Sequence, residues 1–193
     1  MTTTNTLHRS ELLTALPAAG RSSDVPASAD AYGWLVGSWE LDVLRYWAAD
    51  VSARGIKAEA HFAWVLEGLV MQDVWIMPRR QDRTGRLEKT MNMYGTTLRA
   101  WDESIDAWRI TWINPAGGHF EQQIGRLIGN DVVQIGVRPD GTPTRWRFTG
   151  ITPLAFHWLG ESLQPDGETW TLEGEFRATR TIADVPSSIA RSR

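Results

Sequence analysis

Cysteine is absent from the sequence. Its absence excludes disulfides and thiolate-held metals, and it suits a reducing cytoplasm. Lysine is almost absent: Lys57 and Lys89 stand among twenty basic residues, so the rest are arginine. Arginine suits planar pairing and stacking on aromatic rings more than a diffuse polyanion surface. No basic run occurs and the formal net charge is −3, which argues against nucleic acid as a partner. No apolar stretch is long enough to span a bilayer, and residues 1–19 lack a signal-peptide core. No glycine-rich phosphate loop precedes a helix, and no two histidines share a short metal-ligand spacing. The sequence therefore implies no metal and no cofactor. A homodimer is compatible with it.

Tryptophan, in contrast, is abundant, with eleven residues. Such residues pack a core, line a cavity or build an interface. Residues 1–28 read as a leader with one short helix, capped by Ser10 and ended by Pro17, then a Gly/Ser/Pro linker. Ala29–Val36 reads as a second helical turn. Gly37 then allows a sharp bend, and a strand starts at Trp39. From there to about residue 183 the sequence predicts some ten short strands with regularly spaced turns. Residues 184–193 read as a polar tail.

The hairpins predict which face is inside, because directly opposed residues share a face. A turn at Glu67-Gly68 sets Phe62 against Asp73, Trp64 against Met71 and Ala60 against Trp75. A turn at Gly129-Asn130 sets Ile124 against Ile135 and Gln122 against Val137. A two-residue turn at Asp140-Gly141 sets Ile135 against Trp146 and Val133 against Phe148. The bend at Pro153 sets Trp146 against Ser162, and the last loop sets Trp158 against Gly174. Together these turns put Phe62, Trp64, Trp75, Trp146, Phe148, Phe156, Trp158, Trp170 and Phe176 on one face. Glu59, Arg145, Arg147, Glu161, Glu173 and Arg177 fall on the other. A sheet apolar on one face and without helices to cover it hides that face by curling into a barrel, or else by pairing into a sandwich.

Further signatures then accumulate: Gly37-Ser38-Trp39, Trp101-Asp102, Trp108 to Pro115, Arg145 to Pro153, Phe156 to Ser162 and Asp166 to Trp170, closing at Arg180. In this order they resemble the DUF1579-like group of bacterial lipocalin-like proteins, within the calycin superfamily. The resemblance covers roughly Gly33 to Arg180. It implies an all-β, calycin-like antiparallel barrel and no agreed reaction. It also implies that Arg180 packs over Trp39 as a cation–π lid on the barrel floor. Among haem-binding relatives one histidine holds the iron, a role open here only to His119 or His157.

The residues expected to line a cavity are Phe62, Trp64, Met71, Asp73, Trp75, Met93, Arg99, Trp108, Trp112, Gln122, Trp146 and Trp158. Arg126 is a further inward candidate. Asp73 is the anomaly among them, a carboxylate set between apolar neighbours. It would act as an acid–base group or ligand anchor, or else hold an internal ion pair with Arg99. Three classes follow. One is a binder of a small, largely apolar, aromatic molecule. A second is an enzyme (cyclase, isomerase or decarboxylase) using Asp73. The third is a structural module whose tryptophans fill the barrel. A cavity of about 300 Å³ or more favours the first two. Arg147 and Glu161 are expected to form a surface cross-strand pair.

Overall fold

The computed structural model describes residues 11–85 and 87–182. Ser10, His8, the start of the leader and the polar tail lie outside them. The strands are β1 Gly37–Tyr46, β2 Ala49–Asp50, β3 Lys57–Val65, β4 Val70–Met77, β5 Met93–Asp102 and β6 Ala107–Asn114. They continue as β7 His119–Ile128, β8 Asp131–Val137, β9 Pro143–Thr149, β10 Ala155–Leu163 and β11 Trp170–Arg180. Each pairs antiparallel with its neighbour, and β11 returns to β1 from Trp39↔Arg180 to Val43↔Phe176. Ten strands thus form a closed barrel, and β2 only extends the end of β1. Closure leaves no long unpaired edge. Among the described residues no helix is long and apolar enough to cross a membrane.

The period-2 pattern decides what is inside. On β1, Trp39, Leu41 and Val43 are buried while Glu40 and Asp42 are exposed. The segment before β1 closes one end. A short helix, Glu11–Ala15, leads to single 3-10 turns at Ala27–Ala29 and Gly33–Leu35. Tyr32 and Leu35 from this segment are fully buried in the core. Trp39 Nε1 donates to Leu35 O at 2.7 Å, and Trp108 Nε1 donates to Ala29 O at 2.9 Å. Phe156 stands edge-on to Trp39, and Tyr32 edge-on to Trp108. This half of the barrel is a packed aromatic plug.

The β3–β4 register is as expected, with Phe62↔Asp73 and Trp64↔Met71. So is Trp101↔Trp108 between β5 and β6. Two local features correct other expectations. The β8–β9 loop is longer than a two-residue turn. Arg138 N–H donates to Thr142 O and Gly141 N–H to Arg138 O, with Gly141 at φ 88°. Gly141 supplies the extra, left-handed residue of a bulged hairpin. Gln134, not Ile135, therefore opposes Trp146, and Val132 opposes Phe148. Because β7 keeps its expected register on β8, its faces are exchanged as well. Gln122 and Arg126 are exposed on the outer wall, and Glu121, Gln123 and Gly125 point inward. The apolar residues that suggested the opposite, Ile135 and Val137, are 45% and 59% exposed.

The second correction is a bulge between β10 and β11. Gly160 opposes Gly174, but Glu161 opposes Leu172, so Glu173 is the extra residue. Past this point the parity reverses. Trp170 lies outside, under the Arg145 guanidinium at 4.3 Å, and Glu173 turns toward the barrel mouth. The lower part of β10 is shifted by two residues from expectation, with Trp158↔Phe176 and Trp158↔Phe148, which preserves the faces.

Candidate functional site

The end of the barrel opposite the plug is open. Its cavity is small, ≈ 90 Å³. That is below the roughly 300 Å³ that would favour a binder or an enzyme over a structural module, so size does not favour those two classes, and any occupant must be compact. Trp75, Met93, Trp112, Trp146, Trp158 and Phe176 form its apolar wall. The indoles meet at angles: Trp146 is 5.6 Å from Trp158 and 6.2 Å from Trp112. Glycines make room for two of these rings. A Cβ on Gly95 would come 2.5 Å from Trp112 Cη2, and one on Gly160 or Gly174 would come 2.6 or 2.9 Å from the Trp158 ring. Any side chain at these positions would push an indole into the cavity.

Arg99 forms the base of the cavity. Its Nη1 lies 2.6 Å from Asp73 Oδ2, and both side chains are almost wholly buried. Thr97 N–H donates to the other carboxylate oxygen at 2.8 Å. Arg99 Nε donates to Gln134 Oε1, and the guanidinium sits 5.0 Å from the Tyr32 ring, with Phe62 and Phe148 about it. Such a cage compensates a cation that water no longer reaches. Tyr32 OH donates to the same Gln134 oxygen. Burial raises the Tyr32 phenol well above its ordinary range, against the opposing pull of Arg99.

From Gln134 a hydrogen-bond chain climbs the inner wall. Gln134 Nε2 donates to Gln123 Oε1, and Gln123 Nε2 to Glu121 Oε1. The Thr144 hydroxyl also donates to Glu121 Oε1, and His119 Nε2 is 3.1 Å from Glu121 Oε2. The chain ends at the cavity mouth. There Trp47, on the β1–β2 turn, lies 5.5 Å from the His119 ring and 5.7 Å from the Arg138 guanidinium. Arg138 pairs with Glu173, which also accepts from Ser162 Oγ. Burial works to raise the Glu173 pKa, but its hydrogen bonds from Arg138 and Ser162 prevail and hold it below the usual carboxylate value. Ala48 N–H donates to Glu173 O, tying the β1–β2 turn to the adjacent strand β11.

Six expected residues therefore meet around one space: Trp75, Met93, Arg99, Trp112, Trp146 and Trp158. Asp73, Phe62 and Met71 are buried beneath or beside it, and Asp73 reaches it only through Arg99. Trp64 and Trp108 belong to the plug, 6.2 Å apart. Gln122 is on the outer wall. Thr97, Asn114, His119, Arg138, Glu173, Tyr46 and Trp47 also line the cavity and were not foreseen there. Thr97 was within reach of the sequence, since it shares the parity of Arg99. Glu173 and Trp47 depend on a bulge and a turn without a distinctive residue pattern.

His61 and His157 are on the outside, beside Glu59 and Glu175. Among the described residues no group of three or more His, Asp or Glu could hold a metal ion. No protein-family model matches the chain, and no curated protein matches it.

Proposed function

We propose that this protein binds a small, largely apolar aromatic molecule in the open half of its barrel. The observation that carries the reading is the contrast between the two halves. One half is filled by its own rings, whereas in the other Trp75, Trp112, Trp146 and Trp158 surround a cavity with a buried arginine at its base. Apolar walls with a few fixed polar groups are what small-molecule sites consist of. Gly95, Gly160 and Gly174 support the same reading, because each keeps an indole off the cavity axis.

The alternative that Asp73 performs acid–base catalysis is less well supported. Its carboxylate is engaged by Arg99 and by the Thr97 amide, and it does not line the cavity. Kinship with the calycin barrels is part of our proposal. Its support is the Gly37-Ser38-Trp39 opening and Arg180 over Trp39 at 4.1 Å. A fluorescence titration with single-ring aromatics tests the function. Saturable quenching that disappears in Trp146→Ala is expected, and a flat response to all such compounds would rule the reading out.

A further inference from the structure

Three groups on one wall of the cavity have hydrogens to donate. Thr97 and Arg99 are two residues apart on β5 and face inward together. Asn114 ends β6, two residues beyond Trp112, which opposes Thr97. All three line the cavity and are 1–2% exposed. Arg99 spends Nε on Gln134 and Nη1 on Asp73. Asn114 Oδ1 accepts from the Tyr94 and Gly117 amides, which fixes the orientation of its side chain and leaves Nδ2 as the remaining donor. Arg99 Nη2, Thr97 Oγ1 and Asn114 Nδ2 have no hydrogen-bond partner among the described residues. The three face the cavity and are not sealed from it, so each is open to an acceptor that enters.

We infer that the occupant of this cavity is a compact aromatic carbonyl compound, its uncharged oxygen accepting from the Thr97 and Arg99 donors of this wall and its ring against the indoles. The inference rests on the binding function proposed above and gives it a ligand class. Charge decides between a carbonyl and a carboxylate. The Arg99 cation is already matched by Asp73, and at the mouth Arg138 is matched by Glu173. A carboxylate would add an unmatched charge to an apolar, buried space, whereas a carbonyl oxygen uses the donors without one.

Three probes of similar shape test this by calorimetric or fluorescence titration: acetophenone, isopropylbenzene and benzoate. Acetophenone is expected to bind about tenfold more tightly than isopropylbenzene, and benzoate more weakly than acetophenone. Thr97→Val removes one donor and keeps the side-chain shape, and the Thr97 amide still reaches Asp73. It should lower acetophenone affinity about three- to tenfold and leave isopropylbenzene unchanged. Thr97→Ser should retain the preference. Equal binding of acetophenone and isopropylbenzene would overturn the inference and leave aromatic binding intact. Tightest binding by benzoate would overturn the uncharged ligand. Failure of all three to bind would remove the binding function and this inference with it.

Discussion

Asp73 and Arg99 form an ion pair at 2.6 Å in which both side chains are almost wholly buried. It joins β4 to β5 inside the barrel and sets the guanidinium that forms the base of the cavity. Removing one partner of such a pair strands the other. Asp73→Asn is therefore expected to destabilise the fold by about 3–5 kcal/mol. Chemical denaturation measures it. A change below about 1 kcal/mol would mean that the carboxylate carries no structural charge.

Arg180 anchors the opposite end. Its guanidinium lies 4.1 Å from the Trp39 ring and donates to Pro153 O, Val36 O and Trp34 O at 2.6–2.7 Å. Lysine cannot reproduce this planar fork. Arg180→Ala should cost about 2–4 kcal/mol of stability, and Arg180→Lys should recover less than half of the loss. Full recovery by lysine, read from the same denaturation curves, would show that charge alone is what matters.

Gly174 holds space for an indole. Its Cβ position is 2.9 Å from Trp158 Cζ3, a contact that a real side chain forces apart. Gly174→Ala should push the Trp158 ring into the cavity and weaken aromatic binding by at least about tenfold, while stability falls by only about 1–3 kcal/mol. Unchanged affinity in a folded Gly174→Ala protein would place the ligand elsewhere.

Acid should reveal the outer arginine clusters. Burial works to raise the Glu161 pKa, but hydrogen bonds from Arg145 and Arg147 outweigh it and hold the group below its ordinary value of 4.5. A carboxylate with a depressed folded pKa stabilises the fold above its unfolded pKa and loses that contribution as pH falls through the folded value. Stability should therefore decline below about pH 4.5, and Glu161→Gln should flatten that decline relative to the parent. Melting temperatures from pH 7 down to pH 3 measure both slopes, and parallel slopes would contradict the assignment.

Much of the barrel was legible in the sequence, and for a physical reason. Strand parity is binary, so Phe62, Trp64 and Trp75 could be placed inside from one turn, and the structure has them there. The same sensitivity explains the failures. One extra residue, Gly141, moved Gln122 to the outer wall and brought Glu121, Gln123 and Gln134 inside. Exposed Ile135 and Val137 gave the sequence no reason to suspect it. The Arg99 partner of Asp73 was foreseeable because both belong to adjacent strands of known register. The mouth was not, because the Glu173 bulge between β10 and β11 has no distinctive residue pattern, and Trp47 is placed by His119 and Arg138, which are distant in sequence.

One half of the barrel is expected to receive a ligand and the other half is not. The indole N–H signals in a ¹H–¹⁵N spectrum, assigned by substitution and titrated with acetophenone, separate the two halves. Trp75, Trp112, Trp146 and Trp158 should shift with a common saturation curve, while Trp39, Trp64 and Trp108 stay in place. Shifts confined to the plug tryptophans, or no saturable shift at all, would contradict the account.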